Sequence, residues 1–366
     1  MTSFTQRFDD PGGDGPRLAV KCSIDVAGAV TSAGSPILAD APPADRDAPI
    51  VTFARVAGAR VVGHTVMPEF GLTATGINPL MGTPLNPLDA GRLPGGSSTG
   101  STVAVVTGEA DTAYGTDAGG SLRIPPACCG AVGMKTTQGR VPTGGVRLLT
   151  PTIDVVGPIG ADLAGCVLGM TLLEPGFAPA PQRRWRVARV RPDDVEPAID
   201  AAIDALLDAA DDVDIVEADL SGIHDAYRAA AFVLLAEAWI TTGPLLAQRE
   251  RMSEDIANKL EWSQHVSGEQ LADAGRVRVE FRGALEALLA DVDAIALPTL
   301  PVNVPPADAG LEADVDLSRL TLPFNLSGHP ALALPAPRTD GELPASLQLV
   351  GRWWSEEQLF AIAGAL

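Results

Sequence analysis

Residues 92–101 read RLPGGSSTGS and residues 114–126 read YGTDAGGSLRIPP, with the small-residue segment TVAVVTGEADTA between them. Linkers are rich in glycine and serine because they need no structure. These two loops are instead set among apolar runs, and the second ends in an arginine, an isoleucine and a double proline, so they read as a site. Outward from them the chain alternates short β-rich runs with helical patterns. RLAVKCSIDV (17–26) reads as a strand entering a loop, DAPIVTFARVAGARVVGHT (47–65) as a helix then a strand, and STGSTVAVVTGEADTAYGTD (98–117) as a helix then a strand. Over residues 193–220 the spacing puts Val195, Ile199, Ala202, Ile203, Leu206 and Leu207 on one helical face, with acidic residues on the other, read as solvated, and VDIVEADL following as a strand. A helix through VEFRGALEALLADV and a strand at DAIALPTLPV repeat the scheme, PASLQLVGRWWSEEQLFAIAGAL closes it with strand, turn and helix, and LEPGFAPAPQRRWR (173–186) reads as a long surface connection. The expected fold class is α/β: a single domain over 1–366 with a mixed central β-sheet between layers of α-helices, its catalytic core at about 17–165.

The bulk composition bounds what such a domain does. A chain of 366 residues, 46% hydrophobic, buries a large core. A formal net charge of -20 argues against nucleic acid and anionic membrane as partners, both of which select clustered Lys and Arg. The first residues lack an apolar h-region and no charge-free apolar run reaches the roughly 20 residues that span a bilayer, so the expected location is cytoplasmic. Cys22, Cys128, Cys129 and Cys166 form no CxxC pair and read as buried free thiols; no metal is expected.

Three chemistries use Gly/Ser loops. A phosphate cradle needs GxxxxGK[ST] or GxGxxG, and neither occurs. A nucleophile elbow, GxSxG, is matched formally by Gly96-Ser97-Ser98-Thr99-Gly100, with His329 of NLSGHP as its base. The third uses a serine nucleophile with a lysine base and no histidine.

PGGSSTGS, GTDAGGSLRIPPACCGAVGMKTTQGRV and, upstream, AVKCSIDVAG resemble the successive blocks of the amidase signature family, serine hydrolases with a Ser-cisSer-Lys triad. The resemblance continues in order through MPEFGLTATGINP, TIDVVGPIGADLAG, ALPTLPVNVPP, LPFNLSGHPALALPAP and LQLVGRWWSEEQL. It implies Ser121 as nucleophile, Ser97 as bridging serine after a cis Gly96-Ser97 peptide, and Lys21 as base. The two serines stand 24 positions apart, which fits. It further implies an oxyanion hole from the backbone N–H groups of Ala118, Gly119, Gly120 and Ser121, with Asp117 and Arg123 as supports and Ser98 beside them. Physically, a serine hydroxyl needs a base to take its proton, and lysine serves only when neutral; full burial lowers its pKa by up to about 3–5 units. The chain departs from the family pattern at Cys22, where aspartate is common, at Thr99, which replaces a glycine, and in its shorter N-terminal and middle regions.

The expected activity is hydrolysis of a carboxamide C–N bond through an acyl-serine intermediate, giving a carboxylate and ammonia or an amine, with no cofactor. The partner is a small-molecule amide, and a homodimer is the assembly considered. The alternative is a partner-dependent or inactive amidase-like subunit of an amidotransferase complex.

Overall fold

The computed structural model describes residues 2–9 and 14–366. Among them the strands β1 (Phe4–Arg7), β2 (Arg17–Lys21), β3 (Arg60–Thr65), β4 (Thr112–Asp117), β5 (Val132–Lys135), β6 (Val155–Gly160), β7 (Trp185–Val190), β8 (Val213–Ala218), β9 (Ala294–Pro298), β10 (Ala331–Ala336) and β11 (Ala345–Val350) form one 11-stranded sheet in the order β1-β3-β2-β4-β6-β5-β10-β11-β9-β7-β8. The sheet is mixed: β3, β2 and β4 run parallel, as do β9, β7 and β8, while the strands between them pair antiparallel. This is the architecture expected from the alternation of short strands with helical segments.

Alternation along the strands sorts side chains onto two covered faces. Leu18 and Val20 of β2, Val187 of β7, Ala294 and Ala296 of β9, and Leu347 and Leu349 of β11 share one cluster with the helices Pro49–Val56, Leu163–Leu173, Pro197–Asp208 and Glu356–Ala363. Their sequence neighbours point the other way. Ala19 and Ala113 meet the helix Thr99–Val106, while Ala188, Ile295 and Val350 meet the helices Ile223–Thr242, Gly268–Leu289 and Leu322–Ser327.

Two details depart from the sequence reading. The acidic face of the helix Pro197–Asp208 is not simply solvated: Asp200 and Asp204 both pair with Arg189 of β7, which is buried. The connection 174–184 is irregular as expected but pinned, by buried Phe177 and by Gln182 donating to the Ala361 carbonyl. The run Ile223–Arg251 is long and apolar enough to cross a membrane by length and composition. One face of it packs Ala226, Ala229 and Ala230 against Phe281 and Leu285 of the helix Gly268–Leu289.

Two glycines test the packing. A Cβ on Gly133 of β5 would lie 1.9 Å from the Leu122 carbonyl oxygen, whereas one on exposed Gly275, in the helix Gly268–Leu289, meets nothing within 4 Å. Gly133→Ala is expected to cost on the order of 1–3 kcal/mol by overpacking, and Gly275→Ala to add about 0.5–1 kcal/mol by restricting the unfolded chain. Urea midpoints of the two variants against wild type check both signs.

Candidate active site

The parallel pairing of β2 with β4 sets their carboxyl ends side by side, with Val20 opposite Tyr114. Lys21 ends β2 and is fully buried. Its Nζ donates to Ser97 Oγ at 2.8 Å and to Thr116 Oγ1 at 2.9 Å, with the Thr116 carbonyl oxygen at 3.5 Å. Ser97 Oγ in turn donates to Ser121 Oγ at 2.9 Å, so three residues far apart in the chain form one hydrogen-bonded line. Ser97 stands just before the helix Thr99–Val106, after a cis Gly96–Ser97 peptide. Only glycine fits at 96, because a Cβ there would lie 2.8 Å from the Gly76 nitrogen and 2.9 Å from the Thr73 carbonyl oxygen.

The loop after β4 is organised by Asp117. Its carboxylate accepts from the N–H groups of Gly120 at 2.6 Å and Leu122 at 3.1 Å, from Arg123 through Nε and Nη2 at 3.0 Å each, and from Asn325 Nδ2 at 2.8 Å. Both members of the Asp117–Arg123 pair are completely buried, so it is no surface ion pair. Arg123 also donates to the Thr321 carbonyl at 2.8 Å, to Gln348 Oε1 at 2.7 Å and to Asn325 Oδ1 at 2.6 Å. One sequence expectation changes here. The N–H of Gly120 is taken by Asp117 and Gly120 does not line the cleft, so of the four residues expected to cradle an oxyanion only Ala118, Gly119 and Ser121 border it. Asp117 holds that amide, and glycine is required at 120 because φ is +136° and a Cβ there would lie 2.3 Å from Thr321 Oγ1.

Electrostatics follow from burial. Desolvation holds Lys21 below the ordinary amine value, against the opposing charges of Asp154 and Asp117. Asp154 is buried with Oδ1 unpartnered, and desolvation pushes its carboxyl up although Lys21 opposes this. Burial would raise Asp117, but the Arg123 charge and its hydrogen bonds bring it down to about 2. A second buried amine, Lys135, is pushed down to about 7 by burial and by Arg123, yet it donates to the carbonyls of His329 and Thr136 and to no serine.

Ser121 opens onto a cleft of about 220 Å3 walled by Leu72, Ala118, Ile124, Tyr227, Leu234, Leu235 and Leu322, with Lys259 and Asp314 among its polar lining. The sequence reading missed Thr116, Asp154, Asn325 and all of the far wall. Thr116, Asp154 and Asn325 lie inside the blocks GTDAGGS, TIDVVGPIG and LPFNLSGHP, as does Leu322 of the wall, whereas Tyr227, Leu234, Leu235, Lys259 and Asp314 lie in none and carry no signal. The elbow alternative finds no support, since Ser98 Oγ donates to the Thr116 carbonyl at 3.2 Å and is fully buried. His329 packs edge-on against Trp353, and burial drives its pKa down to about 3. All four cysteines are buried and free. Among the described residues no group of three or more His, Cys, Asp or Glu side chains is placed to hold a metal ion.

Known proteins share this arrangement of the chain. The family model described as Amidase matches residues 15–176 and 177–360. The chain is 32% identical over 411 residues to a glutamyl-tRNA(Gln) amidotransferase subunit from Haloarcula marismortui, with 98% of this chain and 96% of that one covered. It is 31% identical over 402 residues to Amidase 1 of Oryza sativa subsp. japonica, with 96% and 90% covered. A crystal structure of an amidase superposes with a TM-score of 0.87 at 31% identity, over 96% of this chain and 83% of the other.

Asp117 generates a prediction about acid stability. Its folded pKa of about 2 lies below the roughly 3.9 of an unfolded aspartate, so protons favour the unfolded chain. The stabilisation is present above about pH 4 and is lost as pH falls towards 2, an effect on the order of 2–3 kcal/mol. Asp117→Asn leaves the Arg123 guanidinium buried without its anion and is expected to cost about 3–5 kcal/mol at neutral pH. Denaturant midpoints between pH 2 and 7 should show a shallower acid slope in the variant; equal slopes would remove Asp117 as the source.

Proposed function

The chain belongs to the amidase family of hydrolases acting on carbon–nitrogen bonds, and from that premise we propose that it cleaves a carboxamide with Ser121 as nucleophile, Ser97 as relay and Lys21 as base. The observation that carries the reading is the unbroken line from Lys21 Nζ through Ser97 Oγ to Ser121 Oγ, of which Ser121 borders the cleft. With Lys21 protonated the hydrogen bonds run outward, from ammonium to Ser97 to Ser121. Once Lys21 is neutral they reverse. Two amine hydrogens then remain for the Thr116 hydroxyl and carbonyl, which turns the nitrogen lone pair towards Ser97.

Ser121 Oγ attacks the amide carbon as its proton moves to Ser97 Oγ and the Ser97 proton moves to Lys21 Nζ. The oxyanion that forms is received by backbone N–H groups of Ala118, Gly119 and Ser121, where one such donor is worth about 2.7–4 kcal/mol. The C–N bond breaks as the proton returns along the same line to the leaving nitrogen, releasing ammonia or an amine. Water then attacks the acyl-serine ester, its proton passing through Ser97 to Lys21; the Ser121 Oγ–C bond breaks as that proton returns through Ser97 to Ser121 Oγ, and the acid product leaves as its carboxylate. We read the setting as cytoplasmic, which the unpaired cysteines support, since a reducing compartment keeps them so.

A second reading, in which the chain works only within an amidotransferase complex, is favoured by the 32% identity to a component of such an enzyme across 98% of this chain. Purified chain assayed alone on simple aliphatic and aromatic amides separates the two: ammonia release at enzymatic rates supports the autonomous hydrolase, and release only with an added partner supports the complex.

The base assignment is tested through pH. Because Lys21 must be neutral to accept a proton, kcat/KM is expected to rise with pH, with a midpoint below the roughly 10.4 of a free lysine. Lys21→Ala and Ser97→Ala are expected to slow acylation of Ser121 by about 100-fold or more, and Lys21→Arg to fail likewise because guanidinium stays protonated. The readout is the labelling rate of Ser121 by a fluorophosphonate, with circular dichroism as the folding control. A folded Lys21→Ala that acylates at the wild-type rate removes lysine from the mechanism.

A further inference from the structure

The cleft before Ser121 contains a cation and a carboxylate that are bound to each other. Lys259 Nζ, from the helix Glu254–Ser263, donates to Asp314 Oδ2 at 2.9 Å and to the Leu72 carbonyl at 2.7 Å. Asp314 Oδ1, from the helix Ala313–Ser318, accepts from Thr73 Oγ1 at 2.6 Å and from the Ala74 N–H at 2.7 Å. The pair therefore joins two helices and the 72–74 loop at one point of the wall, with both carboxylate oxygens engaged. It is partly shielded, at 28% and 14% side-chain exposure. The rest of the wall is mainly apolar, and at about 220 Å3 the cleft falls below the roughly 300–1,000 Å3 of pockets for drug-sized ligands.

Resting on the amidase reading above, we infer that this cleft selects small uncharged amides with an apolar side group, and that the Lys259–Asp314 pair is the element that turns charged amides away. A carboxylate on the substrate meets Lys259 only by competing with Asp314, and then lies beside that anion in apolar surroundings. An ammonium meets the mirror problem. Either way a charge is desolvated without a partner of its own, which is strongly unfavourable. A neutral alkyl group leaves the pair intact and covers the leucine-rich wall.

Pentanamide, glutaric acid monoamide and 4-aminobutanamide differ only in a methyl, carboxylate or ammonium at the far end, so their kcat/KM values, read by ammonia release, isolate the effect. Wild type is expected to favour pentanamide by about tenfold or more over each charged amide. Asp314→Asn leaves Lys259 without its anion and is expected to raise the carboxylate-to-neutral ratio by at least about fivefold while the ammonium ratio stays low. Lys259→Met, which keeps the apolar stem, is expected to do the reverse. Charged amides turned over as well as pentanamide by wild type, or both variants moving the two charged ratios in the same direction, would overturn the selectivity role and leave the pair a structural brace. If a variant does not fold, the wild-type ranking decides. Failure of the amidase reading looks different: no turnover of any of the three amides, with Ser121 also unlabelled by a small neutral fluorophosphonate.

Discussion

The site depends on the buried ion pair between Asp117 and Arg123. A buried pair is by itself weak evidence of stability, because taking two charges out of water costs more than their attraction returns unless the remaining hydrogen-bonding capacity is met. Here it is met. Gly120, Leu122 and Asn325 complete Asp117, while Thr321, Gln348 and Asn325 complete Arg123. Since Ser121 lies between the two charged residues in sequence, fixing the pair fixes the turn that carries it. Through Gln348 and Asn325 the same pair ties that turn to β11 and to the helix Leu322–Ser327, elements from the other end of the chain. The position of Ser121 thus follows from a charge satisfied on all sides, independently of substrate.

What could be read from the sequence was local. Lys21, Ser97, Ser121, Asp117 and Arg123 lie in short segments whose glycine spacing and residue types announce close backbone approach; of the strands that carry Lys21 and Asp117, β2 shows its burial in Leu18-Ala19-Val20, whereas β4, TAYGTD, is buried throughout without an apolar run to say so. Glycine at 120 marks a turn without saying which way its amide points. That direction is set by Asp117, three residues earlier.

The far wall was illegible for a different reason. Leu234 and Leu235 belong to a helix covered by neighbours on one side and by the cleft on another, so its apolar residues look like ordinary core. Lys259 and Asp314, 55 positions apart, look in sequence like two solvated charges. Asp200 and Asp204 were read as facing water on a sound amphipathic pattern, and only the arrival of Arg189 from a neighbouring strand gives them another partner. Pairings of this kind are made by tertiary contact and leave no periodic trace.

The sheet has a seam where β5 meets β10, with Lys135 opposite Ala331. The line from Lys21 to Ser121 lies wholly on the amino-terminal side of it, whereas Tyr227, Leu234, Lys259, Asp314 and Leu322 of the cleft wall come from the carboxyl-terminal side. That line and most of the far wall are therefore encoded in separate stretches of the gene, although Asn325 and Gln348 of the later stretch hold the turn that carries Ser121. Drift in the later stretch can reshape most of the cleft wall while the Lys21–Ser97–Ser121 line keeps its residues, and a hybrid spliced near the seam inherits that line from one parent and most of the wall from the other, so long as Asn325 and Gln348 still meet Arg123.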